Sequence, residues 1–240
     1  MKTYIARRLL ALIPVALVVA TVAFVLIHLA PGDPASIIAG PDATPEDVRK
    51  LEQQLGLDRP LPIQLVQWYG HLLQGDLGRS IFLRKPVTEA ILDRVEPTLL
   101  LTVFAIVIAV VIGVPAGVIS ARYHNSAGDQ ALMGLALVGI SIPNFLAGLL
   151  LILAFSVWLR WFPVAGYSPL ESGWPATLRS LVLPAFALGL VQSALIARIA
   201  RSSMLDVLHE QFIVAGRAKG LGERAVVYKH ALKNAMIPTV

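Results

Sequence analysis

The chain has 240 residues, of which 56% are hydrophobic and only 15% charged, against roughly 45–50% and 25% in soluble domains. Its lack of cysteine excludes disulfides and thiolate metal sites. The net charge of +5 does not imply a nucleic-acid partner, because the basic residues are sorted between loops rather than gathered in one patch.

Four blocks contain no Asp, Glu, Lys or Arg: Leu9–Leu29, Leu99–Ile119, Ala131–Leu159 and Leu181–Ala197, of 21, 21, 29 and 17 residues. A helix needs about 20 apolar residues to cross a bilayer. In hydrocarbon every backbone amide must be satisfied within its own segment, so helices are expected. The fold class is therefore all-α, a polytopic helical membrane protein with four spans. Lys2, Arg7 and Arg8 before the first block mimic a signal peptide. The apolar stretch exceeds an h-region of about 7–15 residues, so it reads as a retained first span.

With four spans, both ends of the chain lie on one side. The N-terminal tail, the Ser120–Gln130 loop and the segment from Arg198 onward hold 11 Lys/Arg and 4 acids. Residues 30–98 and 160–180 hold 9 Lys/Arg and 11 acids. The positive-inside rule places the termini in the cytoplasm.

In the long outer loop, Thr44 is an N-cap with Pro45 in the first turn and Asp47 three residues on. Val48, Leu51 and Leu55 form its apolar face and Gly56 stops it. A second helix is expected over Pro62–Gln74, with Leu65, Tyr69 and Leu72 on one side. A third, Val87–Val95, lies at the membrane surface and feeds the chain inward at Glu96–Pro97. GVPAG, Gly113–Gly117, matches GxxxG and suits either a close helix contact or a helix-end adjustment.

The third block, if one helix, would reach about 43 Å across a ~30 Å core. It either tilts and protrudes, or kinks at Pro143 within GISIPNF. Ser141 and Asn144 beside that proline have two open roles: satisfying freed backbone groups, or facing an aqueous path. Gln192 and Ser193 in the fourth block are further path candidates. Trp161, Tyr167 and Trp174 mark an interfacial belt and short outer loop.

Several chemistries are missing. No GxxxxGK[ST] loop for ATP occurs, nor HExxH, and the five histidines lack metal spacing. His28 reads as an interfacial residue with a local hydrogen bond, and His230 with Asn234 as a structural i, i+4 pair. The spans hold no carboxylate or cation of the kind proton relays use. No catalytic residue, metal site or bound cofactor is expected, and energy for any transport comes from elsewhere.

Past Arg198 and Arg201, which mark the exit of the fourth span, Met204, Leu205, Leu208 and Phe212 continue a helical apolar stripe. Gly216, Gly220 and Gly222 each cost a helix interior about 1 kcal/mol relative to Ala. A short helix ending near Gly220, a turn at Leu221–Gly222 and a new helix from Glu223 are expected. The slim surface edged by Arg217 and Lys219 suits insertion into a cleft on another protein. Attraction of a solvated basic loop to anionic lipid fits equally well.

The run Phe212-Ile213-Val214-Ala215-Gly216-Arg217-Ala218-Lys219-Gly220-Leu221, followed by His230-Ala231-Leu232-Lys233-Asn234-Ala235-Met236-Ile237-Pro238, resembles the cytoplasmic loop of binding-protein-dependent ABC importer permeases of the peptide type. His28–Ala35, Leu55–Gln64, Gly75–Ser80 and Pro86–Thr102 resemble the first permease subunit of dipeptide, oligopeptide and related importers.

That resemblance implies a type I ABC importer permease fold in a prokaryotic inner membrane, working by alternating access. Residues 1–30 would be the N-terminus and first span, 31–96 an extracytoplasmic loop and 97–240 the permease core. The core's spans would lie at about 97–121, 130–159 and 180–199, followed by a cytoplasmic segment 200–236. Ala215, Gly216, Arg217, Ala218, Lys219, Gly220 and Leu221 would couple to a groove on an ATPase. Gly216 departs from the usual Ala, which loosens the first turn. Partners would be a second permease, two ATPases carrying ATP and Mg, an extracytoplasmic substrate-binding protein and the lipid bilayer. The family has about six spans, so this chain is expected to be a fragment that ends at the start of a fifth. Similar permeases handle dipeptides, longer peptides, glutathione and nickel chelates. Two other classes remain: a passive channel or scaffold, which needs no ATPase, and an intramembrane enzyme, for which the spans offer no polar cluster.

Overall fold

The computed structural model describes residues 2–29, 34–40, 43–80 and 82–236. Among them no strand forms beyond an isolated bridge between Arg79 and Pro86. The chain is an all-α polytopic membrane protein. Three of its helices are long and apolar enough to cross a bilayer, and a sharply bent pair makes a fourth candidate span. Ala30–Asp33 and the expected start of a further span at Ile237–Val240 lie outside the described residues.

The chain divides into two compact units, residues 1–93 and 94–240. In the first, α1 (Lys2–Leu29) is the first candidate span and α2 (Pro34–Ala39) a short helix after it. The expected loop helices are both present, as α3 (Pro45–Leu55) and α4 (Leu61–Leu73). Thr44 and Asp47 form a reciprocal capping box, in which the Thr44 N–H donates to Asp47 Oδ2 at 3.1 Å and the Asp47 N–H to Thr44 Oγ1 at 3.3 Å. Gly56 closes α3 at φ +69°, a left-handed conformation that glycine adopts without penalty. Val48 and Leu51 are partly covered, while Leu55, expected on the same face, is half exposed.

Helix α4 lies against α1 through aromatic and polar contacts. The Tyr69 hydroxyl donates to the Leu17 carbonyl at 2.9 Å and lies 2.7 Å from Thr21 Oγ1. Phe24 sits between the rings of His28 and Trp68. His28 makes the local hydrogen bond expected of it, Nδ1 to the Phe24 carbonyl at 2.8 Å, and its Nε2 meets Gln64 Oε1 at 3.1 Å.

The separate surface helix expected over Val87–Val95 does not exist. A single helix, α5 (Val87–Arg122), runs straight through Pro97 and Pro115. Proline removes one backbone donor. Ending α5 at Pro97 would require a fresh, costly helix nucleus immediately before a block that must be helical in hydrocarbon, so continuation wins.

In the second unit the third apolar block is broken rather than tilted. Helix α6 (Ala127–Ser141) and the helix beginning with α7 (Asn144–Leu151) meet at 100°. The residue before a proline is driven out of the helical region, and Ile142 is accordingly extended at φ −83°, ψ +123°. Beyond α7 the chain widens into a π-helix over Ile152–Trp158. The loop before α8 is tied to α5 by Glu96, which accepts from the Tyr167 hydroxyl and from the Leu170 N–H at 2.9 Å. Burial, then the Glu96 hydrogen bond, pushes the Tyr167 phenol up to about 12.

Helix α8 (Trp174–Leu208) extends well past both ends of its apolar block and, as expected, runs on beyond Arg198 and Arg201. It packs along α5 at backbone contact distance. A Cβ added at Gly113 would lie 2.6 Å from the Ser193 carbonyl oxygen, and one at Gly189 would lie 2.8 Å from Ile108 Cβ. The GxxxG pair is thus a helix contact within the chain, one of the two readings its sequence left open.

Candidate functional site

The segment after α8 folds as α9 (Gln211–Ala218), a turn, a π-helix over Ala225–Ala231 and the short α10 (Leu232–Ala235). The short helix and the restart at Glu223 match the expectation from the glycines. The apolar stripe does not hold through Phe212, which is 47% exposed. Helix α8 ends at Leu208, the chain turns at His209–Glu210, and the register resets. Ile213 becomes the buried residue of α9, 1% exposed. It enters a cluster of Val118 and Ala121 from α5, Met204 from α8, and Val226, Val227, Ala231 and Ala235.

Helix α9 closes with a Schellman arrangement. The Leu221 N–H donates to the Gly216 carbonyl at 3.2 Å and the Gly220 N–H to the Arg217 carbonyl at 2.9 Å. Gly220 at φ +83° supplies the left-handed residue this motif requires. Leu221 folds back on Gly216, where an added Cβ would stand 3.3 Å from Leu221 Cδ1. Arg217 Nε donates to Glu223 Oε1 at 2.6 Å across the turn. That hydrogen bond holds the Glu223 carboxyl below its ordinary range. Of the seven candidate coupling residues, six are exposed and Gly216 is half-buried. Phe212 and Val214 are exposed beside them.

The five path candidates do not converge in the same way. Ser141, Pro143 and Asn144 are exposed at the α6–α7 break. The Ser141 hydroxyl donates to the Leu137 carbonyl one helical turn back, at 2.9 Å. Asn144 lines a cleft of about 460 Å³ between α7 and α8, with Gly148, Pro163 and Ser180. Gln192 is exposed, whereas Ser193 is buried and donates to the Leu190 carbonyl at 2.7 Å. Near the C-terminus, Asn234 Nδ2 donates to the His230 carbonyl at 2.8 Å, the structural role expected of that pair.

The model of the family "Binding-protein-dependent transport system inner membrane component" matches residues 113–240, more than half of the chain and including this whole segment. This chain belongs to that family. The companion model for the N-terminal part of such components matches residues 1–102. A glutathione transport system permease protein of Salmonella typhi is 44% identical over 240 residues, covering 100% of this chain and 76% of the relative. A Brucella suis protein whose name gives it provisionally as a peptide transport system permease is also 44% identical, over 99% of this chain and 76% of its own length.

The permease has a second polar centre that sequence reading passed over. Asp129, in the first turn of α6, is 3% exposed. Arg201 of α8 grips it with both arms of its guanidinium, Nε to Oδ1 and Nη2 to Oδ2, each at 2.7 Å. The Ser120 hydroxyl of α5 donates to Oδ1, and the Asn125 N–H to Oδ2 at 2.9 Å. Asn125 at φ +61° is left-handed, which aims that amide at the carboxylate. Arg201 Nη2 also donates to His124 Nδ1 at 2.9 Å. Asp129 alone reads as a helix first-turn acid and Arg201 as an interfacial cation. Only their 72-residue separation collapsing to contact reveals the pair.

Proposed function

We propose that this permease subunit forms part of the translocation path of an ATP-driven importer for peptides or a related small solute such as glutathione. It is coupled to partner ATPases through the end of α9 and the turn after it, residues 215–221. The transport class follows from the family, and the solute class from the names of its 44%-identical relatives. The coupling role rests on one observation. Ile213 is buried among the ends of α5 and α8, while Phe212, Val214 and Leu221 present apolar side chains outward on a rigidly capped helix. Force applied to that outer face would reach the membrane helices through a packed contact rather than a flexible tether.

The rest of the assembly follows the family pattern. A second permease completes the path, two ATPases bind ATP and Mg, and an extracytoplasmic binding protein delivers the solute. The basic loops favour a cytoplasmic N-terminus. This chain performs no bond-making chemistry. Partner-supplied energy shifts an equilibrium between inward- and outward-facing states.

The test is Ala215→Trp in the full-length protein, co-expressed with its ATPase subunits. Ala215 is exposed and helical, so the bulk would fall on the docking face without straining the backbone. Membrane insertion should persist while co-purification with the ATPases and ATP-dependent uptake are lost. Normal uptake per ATP would remove the docking role. Normal uptake by wild-type protein without ATPases would favour the passive channel.

A further inference from the structure

We infer that the Asp129–Arg201 pair is a positioning brace for energy coupling: it makes the cytoplasmic ends of α5, α6 and α8 move as one body when α9 is displaced. The inference rests on the docking role proposed for α9. Four observations carry it. The carboxylate is nearly fully buried and is held from both flanking helices, by Ser120 on α5 and Arg201 on α8, as well as by the Asn125 N–H, while Asp129 itself belongs to α6. The geometry is bidentate, which fixes orientation as well as distance. Ile213, the buried anchor of α9, packs on Val118, Ala121 and Met204, residues within one helical turn of Ser120 and Arg201. Directly above, α5 and α8 touch at Gly117, where an added Cβ would come 3.0 Å from the Arg201 backbone nitrogen.

Helix α6 has no such glycine seam at this end. Gly128 faces only its own Ser126 cap, and the nearest glycine contact with α8 is Gly139 against Ala194 at ordinary van der Waals distance. Helix α6 packs closely along α8 without such a seam, and at its N-terminal end the ion pair and the Ser120 hydrogen bond add the directional contact that fixes it to both α5 and α8. A buried pair is weak evidence for stability as such, because desolvation offsets much of the attraction. It does specify one relative placement of the three helix ends, and a two-state transporter needs that placement to transmit a push.

The experiment uses the assembled full-length transporter in proteoliposomes, with Asp129→Asn and Arg201→Lys. Asparagine keeps the shape but loses the charge, and lysine keeps the charge but loses the fork. The readout is solute taken up per ATP hydrolysed, measured on complexes that co-purify with the ATPases. Residues along a coupling route shift coupling by about 2- to 30-fold. Both variants should therefore show uptake per ATP reduced within that range, with ATP hydrolysis retained. The double variant should lose little more than either single one, because both disrupt one contact. Assembled variants with a wild-type ratio would overturn the proposal. So would loss of assembly in both, which would assign the pair to folding. A wild-type complex lacking ATP-dependent uptake would instead remove the docking role on which the brace depends, and is read before any variant is made.

Discussion

A Cβ added at Gly117 would lie 2.5 Å from the carbonyl oxygen of Ala197, closer than Cβ atoms come to backbone atoms in real structures. Helices α5 and α8 are in backbone contact there, and every larger residue must push them apart. Overpacking of this kind costs typically about 1–3 kcal/mol. Gly117→Val is expected to lower the thermal midpoint of the detergent-purified permease. Gly134→Ala, where nothing lies within 4 Å, should leave it unchanged or raise it.

Ile213 holds α9 to the helix-end cluster. Ile213→Ala removes buried methyl groups, at a cost of about 2–5 kcal/mol for such truncations. Because α9 is short, the loss should appear as local detachment rather than global unfolding. Limited trypsin digestion of inside-out vesicles should cleave faster at Arg217 and Lys219, whereas Phe212→Ala, altering an exposed side chain, should not accelerate it.

The three glycines of this segment are expected to differ. Gly220 is left-handed with open space around it, so Gly220→Ala meets no clash but strains the backbone by about 1–2 kcal/mol. Gly216 is helical, and Ala there should favour α9 by up to about 1 kcal/mol, provided Leu221 shifts by a few tenths of an ångström. Gly222 has neither constraint and should tolerate Ala. Trypsin protection of α9 should rank Gly216→Ala highest and Gly220→Ala lowest. Equal protection in all three would contradict the Schellman closure.

The Thr44 hydroxyl, then its backbone N–H, holds the Asp47 carboxyl below its ordinary range. A depressed folded value means that the capping box stabilises α3 fully above the ordinary carboxylate range, and that this is lost as pH falls through the lowered value. Thr44→Val removes the hydroxyl and should bring the Asp47 carboxyl resonance, followed by NMR pH titration, closer to its ordinary midpoint. An unchanged midpoint would show that the hydroxyl contact does not form in solution.

Reading by local pattern succeeded where one segment contains its own constraint. Thr44, Asp47 and Gly56 bound α3 because caps act within a few residues, and Pro143 broke α6 from α7 because it restricts Ile142 directly. It failed where continuity overrode a local stop, as at Pro97, and where a turn reset the register, as between Leu208 and Ile213. The segment after α8 was legible as a short helix, turn and second helix. Which of its residues is buried was not.

By itself the sequence determined the class, since uncharged blocks of 17 to 29 residues favour a bilayer, and the form there is a helix. Distant residues had to be brought together before anything else could be read. Gly113 and Gly117 became a seam only against α8, and Asp129 a brace only beside Arg201. Close packing and ion pairing depend on distances of a few ångströms, and residues 72 positions apart acquire such distances only when the helices assemble.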